Sequence, residues 1–79
     1  MREISKEYAM HLLKNAEPKR YNDDALLMAS DEYSFLIWNW GTVEIGKLDA
    51  KGAMHKVYKC YDHAFAVMYE QITEYLKAM

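Results

Sequence analysis

Met54-His55-Lys56-Val57-Tyr58-Lys59-Cys60-Tyr61-Asp62-His63-Ala64-Phe65 opens the C-terminal part of the chain, and its reading decides the fold. Placed at 100° per residue, Met54, Val57, Tyr58, Tyr61, Ala64, Phe65, Met68, Tyr69, Ile72, Tyr75, Leu76 and Met79 fall within an arc of about 140°. His55, Lys56, Lys59, Asp62, His63, Glu70, Thr73, Glu74 and Lys77 lie opposite. With Asp49 as N-cap and no proline after it, the pattern predicts one helix over residues 50–78. A break near Asp62, with residues 54–61 as a fourth strand, is the alternative. A helix of that length runs about 40 Å, whereas a domain of this size has a radius of gyration near ~12 Å. It would overhang its sheet, and its wide apolar face would need a cover.

Working towards the N-terminus, Thr42–Leu48 alternates Val43 and Ile45 with Thr42, Glu44 and Gly46, the pattern of a strand buried on one side and placed at an edge. Tyr33–Trp40 is richer in aromatic and branched residues. Phe35 and Ile37 point to one face and Leu36, Trp38 and Trp40 to the other, which predicts a central strand. Ala25–Ala29 is a short apolar run joined to it by Ser30-Asp31-Glu32, a hairpin signal. Gly41 supplies the positive φ that the next turn needs. Arg20–Asp24 reads as a connection. Ile4, Tyr8, Ala9, Leu12, Leu13 and Ala16 share one face of a helix over residues 3–16 that Pro18 stops. The expected fold class is therefore α+β: one domain over residues 1–79 in the order α-β-β-β-α, with a three-stranded antiparallel sheet between a short helix and a long amphipathic one.

Seventy-nine residues hold one core and leave stability marginal, which favours self-association. Cys60 is the only cysteine, so no intrachain disulfide forms and a reducing, cytoplasmic setting is expected. The first residues fit no signal peptide, and no stretch approaches a membrane span. The net charge of -2, from 12 acids and 10 bases, argues against a strongly basic nucleic-acid binder. Its distribution is uneven: residues 21–46 hold five acids and no base, whereas residues 47–59 hold four lysines and one acid.

Catalytic and metal chemistry find little footing. The only glycines are Gly41, Gly46 and Gly52, so there is no phosphate loop or nucleophile elbow. Cys60 and His63 at i and i+3 offer two ligands where a structural zinc site needs four, and Asp62 cannot face both on a helix. No cofactor, metal or catalytic residue is expected.

Three groups remain as candidate binding residues. Asp23, Asp24, Asp31, Glu32 and Glu44 form an acidic edge suited to a basic groove on a partner protein. Tyr58, Phe65, Tyr69 and Leu76 form an apolar helix edge suited to a partner or to a homodimer. Lys47, Lys51, Lys56 and Lys59, with Trp38 and Trp40, offer cations and an aromatic platform for nucleic acid, although core packing under the long helix is the plainer use of the tryptophans. The α-β-β-β-α order resembles that of double-stranded-RNA-binding domains. Trp38-Asn39-Trp40-Gly41-Thr42-Val43 resembles the signature of WGR domains, with Thr42 where that signature has arginine.

Size, tyrosine content and the missing catalytic set point to a non-enzymatic protein-interaction module. The expected role is a small regulator or inhibitor, of the kind that phages and mobile elements encode, docking on a larger protein such as a nucleic-acid-processing one. In size and layout the chain resembles some anti-CRISPR proteins. A small nucleic-acid-binding domain and a structural homo-oligomer are the competing classes.

Overall fold

Asp62 ends one element and begins another. In the computed structural model, which describes residues 1–79, Asp62 has extended backbone (φ -160°, ψ 141°), and its side chain accepts the Ala64 amide at 2.9 Å. That cap starts a helix at His63, because a carboxylate at N-cap satisfies an amide that has no intrahelical partner. Residues before it are strand. In chain order the elements are β1 (Arg2–Glu3), α1 (Lys6–Leu13), β2 (Glu17–Tyr21), β3 (Ala25–Ala29), β4 (Tyr33–Trp38), β5 (Thr42–Leu48), β6 (Met54–Tyr61) and α2 (His63–Lys77).

The sheet has six strands in the order β1-β6-β5-β4-β3-β2. Every neighbouring pair is antiparallel except β1 with β6, where Arg2 lies opposite Tyr58 and Glu3 opposite Lys59. This overturns the three-stranded sheet and the α-β-β-β-α order, and with them the likeness to double-stranded-RNA-binding domains. The class remains α+β. It also overturns the single helix over 50–78: residues 54–61 are β6, and Asp49 caps no helix. Instead its carboxylate accepts the amides of Lys51 (2.8 Å) and Ala53 (2.9 Å) and meets His55 Nε2 at 2.8 Å, which organises the β5–β6 turn. His55 and the two amides hold the Asp49 carboxyl below its ordinary pKa.

The strand was hidden because it carries an irregularity. Ile45 pairs with Tyr58 but Gly46 pairs with Lys56, so Val57 is an extra residue. A bulge of this kind shifts the phase of alternation: Tyr58 and Cys60 face the core, whereas Lys56 and Met54 fall on the opposite face. Without a constant period of two, the apolar residues at 54, 57, 58 and 61 imitate helical spacing.

At the N-terminus the helix is shorter than residues 3–16, because Ser5 caps it by accepting the Tyr8 amide at 3.1 Å. Arg20 and Tyr21, expected in a connection, belong to β2. Pro18 sits in that outermost strand, where a missing N–H is tolerated. The turn proper is held by Asn22, whose Oδ1 accepts the amides of Asp24 and Ala25 at 2.8 and 2.9 Å. Strand β4 is interior, as expected. Strand β5, expected at an edge, lies between β4 and β6.

One face of the sheet makes the core. Leu26, Met28, Phe35, Ile37, Val43, Ile45 and Cys60 are buried there with Ala9 and Leu13 of α1 and Phe65 of α2. Helix α1 packs on β6 and α2 on β3, β4 and β5. Each fully buried Leu, Ile, Val or Phe side chain of this set contributes about 1.5–3 kcal/mol. The radius of gyration is 12.0 Å, so α2 does not overhang. No helix is long and apolar enough to cross a membrane.

Candidate functional site

Alternation along the strands dictates what lies on the face that no helix packs against. Cross-strand register lines up Arg20, Leu27, Leu36, Glu44 and Lys59 in one row across β2, β3, β4, β5 and β6. Flanking rows place Trp38 opposite Ala25, Thr42 opposite Tyr61, and Gly46 between Ser34 and Lys56. Leu27 and Leu36 have no second layer above them and remain half-buried.

The two tryptophans share this face. Their rings stack at 4.8 Å between centroids with 16° between planes, and Trp40 remains 51% exposed. Each indole N–H is satisfied within the chain: Trp38 donates to Glu44 Oε1 at 3.0 Å and Trp40 to Thr42 Oγ1 at 2.8 Å. The six residues that resemble the WGR signature thus run from the end of β4 through the turn into β5, and Thr42, in the place of arginine, is the acceptor for Trp40. Gly41 takes φ 108° there, as the sequence led us to expect.

Glu44 sits at the centre of a short polar chain. Lys56 Nζ lies 3.2 Å from its Oε2 while Trp38 holds Oε1. The Trp38 hydrogen bond, followed by Lys56, lowers the Glu44 pKa, with partial burial opposing them. Beside this chain a hollow of about 160 Å³ is lined by Leu27, Leu36, Gly46 and Met54. The Met54 thioether crosses Gly46 in the space that a side chain would fill. A second hollow of about 340 Å³, bounded by Arg20, Tyr21 and Ala25, shares Leu27 and Leu36 with the first.

The residues singled out from sequence are distributed differently. Trp38 and Trp40 are not core under a helix; they lie on the open face. Lys56 and Lys59 join them, whereas Lys47 lies opposite Tyr33 with its ammonium 6.0 Å from that ring's centroid, and Lys51 sits in the β5–β6 turn. The acidic residues do not form one edge. Asp23 and Asp24 occupy the turn before β3, Asp31 and Glu32 the turn after it, and Glu44 the middle of β5. Asp31 and Glu32 instead line a polar groove of about 340 Å³ with His11 and Asn15 of α1. The Tyr69 hydroxyl donates to the Asn22 carbonyl. Burial, then the charges of Asp23 and Asp24, raise its pKa.

Tyr58, Phe65, Tyr69 and Leu76 turn inward. Phe65 is fully buried and the other three pack against the core, which removes them as a free seam. The Cys60 thiol is buried, and burial followed by the Asp62 charge raises its pKa, away from thiolate chemistry. No three His, Cys, Asp or Glu side chains converge on a common point.

Leu27, Gly46, Met54, Arg20 and Tyr61 belong to this surface without having been singled out, whereas Leu36 was expected beside the two tryptophans. The available signal was the apolar residue at both parities of β3 and β4, which predicts two covered faces. Compared with protein-family models, curated proteins and solved structures, the chain finds no significant match.

Proposed function

We propose that the chain is a non-enzymatic protein-interaction module whose working surface is the helix-free face of the sheet. The observation that carries this reading is the placement of Leu27, Leu36, Met54 and the stacked Trp38–Trp40 pair on that face while both helices pack on the other. An apolar and aromatic patch whose indole N–H groups and Glu44 are already hydrogen-bonded is what a protein partner covers at low desolvation cost.

The test is capture from the source cells by the immobilised chain. Leu36→Glu should abolish capture while the thermal transition stays cooperative, and the double reversal Asp31→Lys with Glu32→Lys should leave it intact. Capture that survives Leu36→Glu removes the sheet face from the reading. Loss of capture only in the double reversal would return it to an acidic turn.

A nucleic-acid reading draws on one observation, the Trp38–Trp40 stack with Lys56 and Lys59 on the same face. Glu44 in the middle of that face and the engagement of Lys56 by Glu44 work against it. Its mark would be oligonucleotide binding that falls steeply with added salt.

A further inference from the structure

We propose that the occupant of the helix-free face is a second copy of this chain, packed sheet on sheet about a two-fold axis. The inference rests on the reading of that face as a docking surface and names its partner.

Three observations lead to it. The first is charge. A two-fold contact brings a surface against itself, so it must carry both signs in balance around an apolar centre. This face does: Arg20, Lys56 and Lys59 stand with Glu3, Glu17 and Glu44 around Leu27 and Leu36. Lys56 and Glu44 already pair, and Arg20 and Lys59 have no carboxylate of their own chain within 4.0 Å. They are left to meet the glutamates of a facing copy. A phosphate backbone would meet Glu44 beside that centre.

The second is the state of the polar groups. Both tryptophan N–H groups and Glu44 are hydrogen-bonded within the chain, and no buried side-chain nitrogen or oxygen lacks a partner. Covering the face therefore leaves Arg20 and Lys59 as the charged donors that the facing copy must pair, and stranded donors are the main cost of drying a sheet surface.

The third is area. Six strands at roughly 4.8 Å spacing and about five residues of roughly 3.3 Å rise give a face of about 24 by 17 Å. That is on the order of 400 Å² in flat projection, before the relief of half-exposed Trp40, Met54 and Tyr61 is added. Two such faces reach the roughly 1,000 Å² total that a specific interface needs. Aligned sheets pack in this way, about 10 Å apart and turned by about 30°. The second copy supplies the layer that the apolar residues at both parities of β3 and β4 predict.

The experiment is light scattering coupled to size exclusion on the full chain, with Leu36→Glu and Trp40→Ala as variants. The expected wild-type mass is twice the 9.3 kDa of one chain. Each variant should raise the dimer dissociation constant, by about 100-fold for a charge placed in the apolar centre, and should keep a cooperative thermal transition. Trp40→Ala keeps the question open to refutation if Leu36→Glu fails to fold, because Trp40 lies in a turn.

A wild-type dimer that both variants leave intact overturns the proposal by placing the contact elsewhere. A wild-type monomer overturns it too. If such a monomer captures another protein and loses it with Leu36→Glu, the docking reading stands with a different partner. If it binds a labelled single-stranded oligodeoxynucleotide and loses it with Lys59→Glu, or shows neither activity, both readings fail.

Discussion

Trp38 donates its indole N–H across to Glu44 on the neighbouring strand at 3.0 Å, and the other oxygen of that carboxylate faces the Lys56 ammonium at 3.2 Å. A single carboxylate thus ties β4, β5 and β6 together on the face that carries no helix. The consequence is a rigid aromatic surface: Trp38 is held by Glu44, Trp40 stacks on Trp38, and Thr42 holds Trp40. Rigid aromatic side chains lose little entropy on binding, which is why they dominate contact energetics.

The chain is expected to lose part of its stability in acid through this carboxylate. The Glu44 pKa is lowered from 4.5 in the folded chain, chiefly by the Trp38 hydrogen bond. A lowered folded pKa means that the unfolded state binds the proton more readily. The contribution is therefore fully present above pH 4.5 and is lost as pH falls below 4.5 through the folded value. Urea unfolding midpoints measured between pH 7 and pH 3 should fall less steeply for Glu44→Gln than for the wild type. Equal slopes would remove Glu44 as a titrating contributor.

Two glycines should respond unequally to alanine. At Gly41 the backbone takes φ 108°, and a Cβ would lie 2.7 Å from the Asp62 carbonyl oxygen, a fixed backbone atom. Gly41→Ala is expected to cost about 1–3 kcal/mol. At Gly46 the obstruction is the thioether of Met54, which is 45% exposed and free to swing aside. Gly46→Ala should cost under about 1 kcal/mol and displace Met54 from the hollow. Denaturant titration of the two variants checks the order, and a reversed order would contradict the placement of Met54.

Legibility of the fold follows the regularity of the local signal. Strand β5 alternates, β3 and β4 are apolar runs bounded by turn residues, and Gly41 marks its turn, so these were readable. Strand β1 has two residues, too few for any period, and it is held by parallel pairing to a segment more than fifty positions away. Strand β2 contains Pro18 and has every residue exposed, so it carries no apolar alternation. In β6 the extra residue Val57 breaks the period and the cap at Asp62 competed with Asp49, whose carboxylate serves a turn. Of the candidate surface, Leu36, Trp38, Trp40, Glu44, Lys56 and Lys59 stood out in the sequence, but in separate groups. Their common location required the pairing of β5 with β6, which depends on tertiary contacts rather than local pattern.

Phe65 and Leu36 separate the core face from the open face by energetics. Phe65 is fully buried between α2 and the sheet, so Phe65→Ala removes a ring and leaves a cavity, at about 3–5 kcal/mol. Leu36 is half-buried on the helix-free face, where solvent or a partner fills the space that truncation leaves. Leu36→Ala is expected to cost under about 1.5 kcal/mol in a separated monomer, because part of its surface is already in water. In an assembled dimer the same truncation should cost more, and the difference should vanish on dilution. Unfolding curves recorded at two protein concentrations well apart therefore read both quantities. A Leu36→Ala penalty as large as that of Phe65→Ala and independent of concentration would mean that the second face is covered by the chain itself.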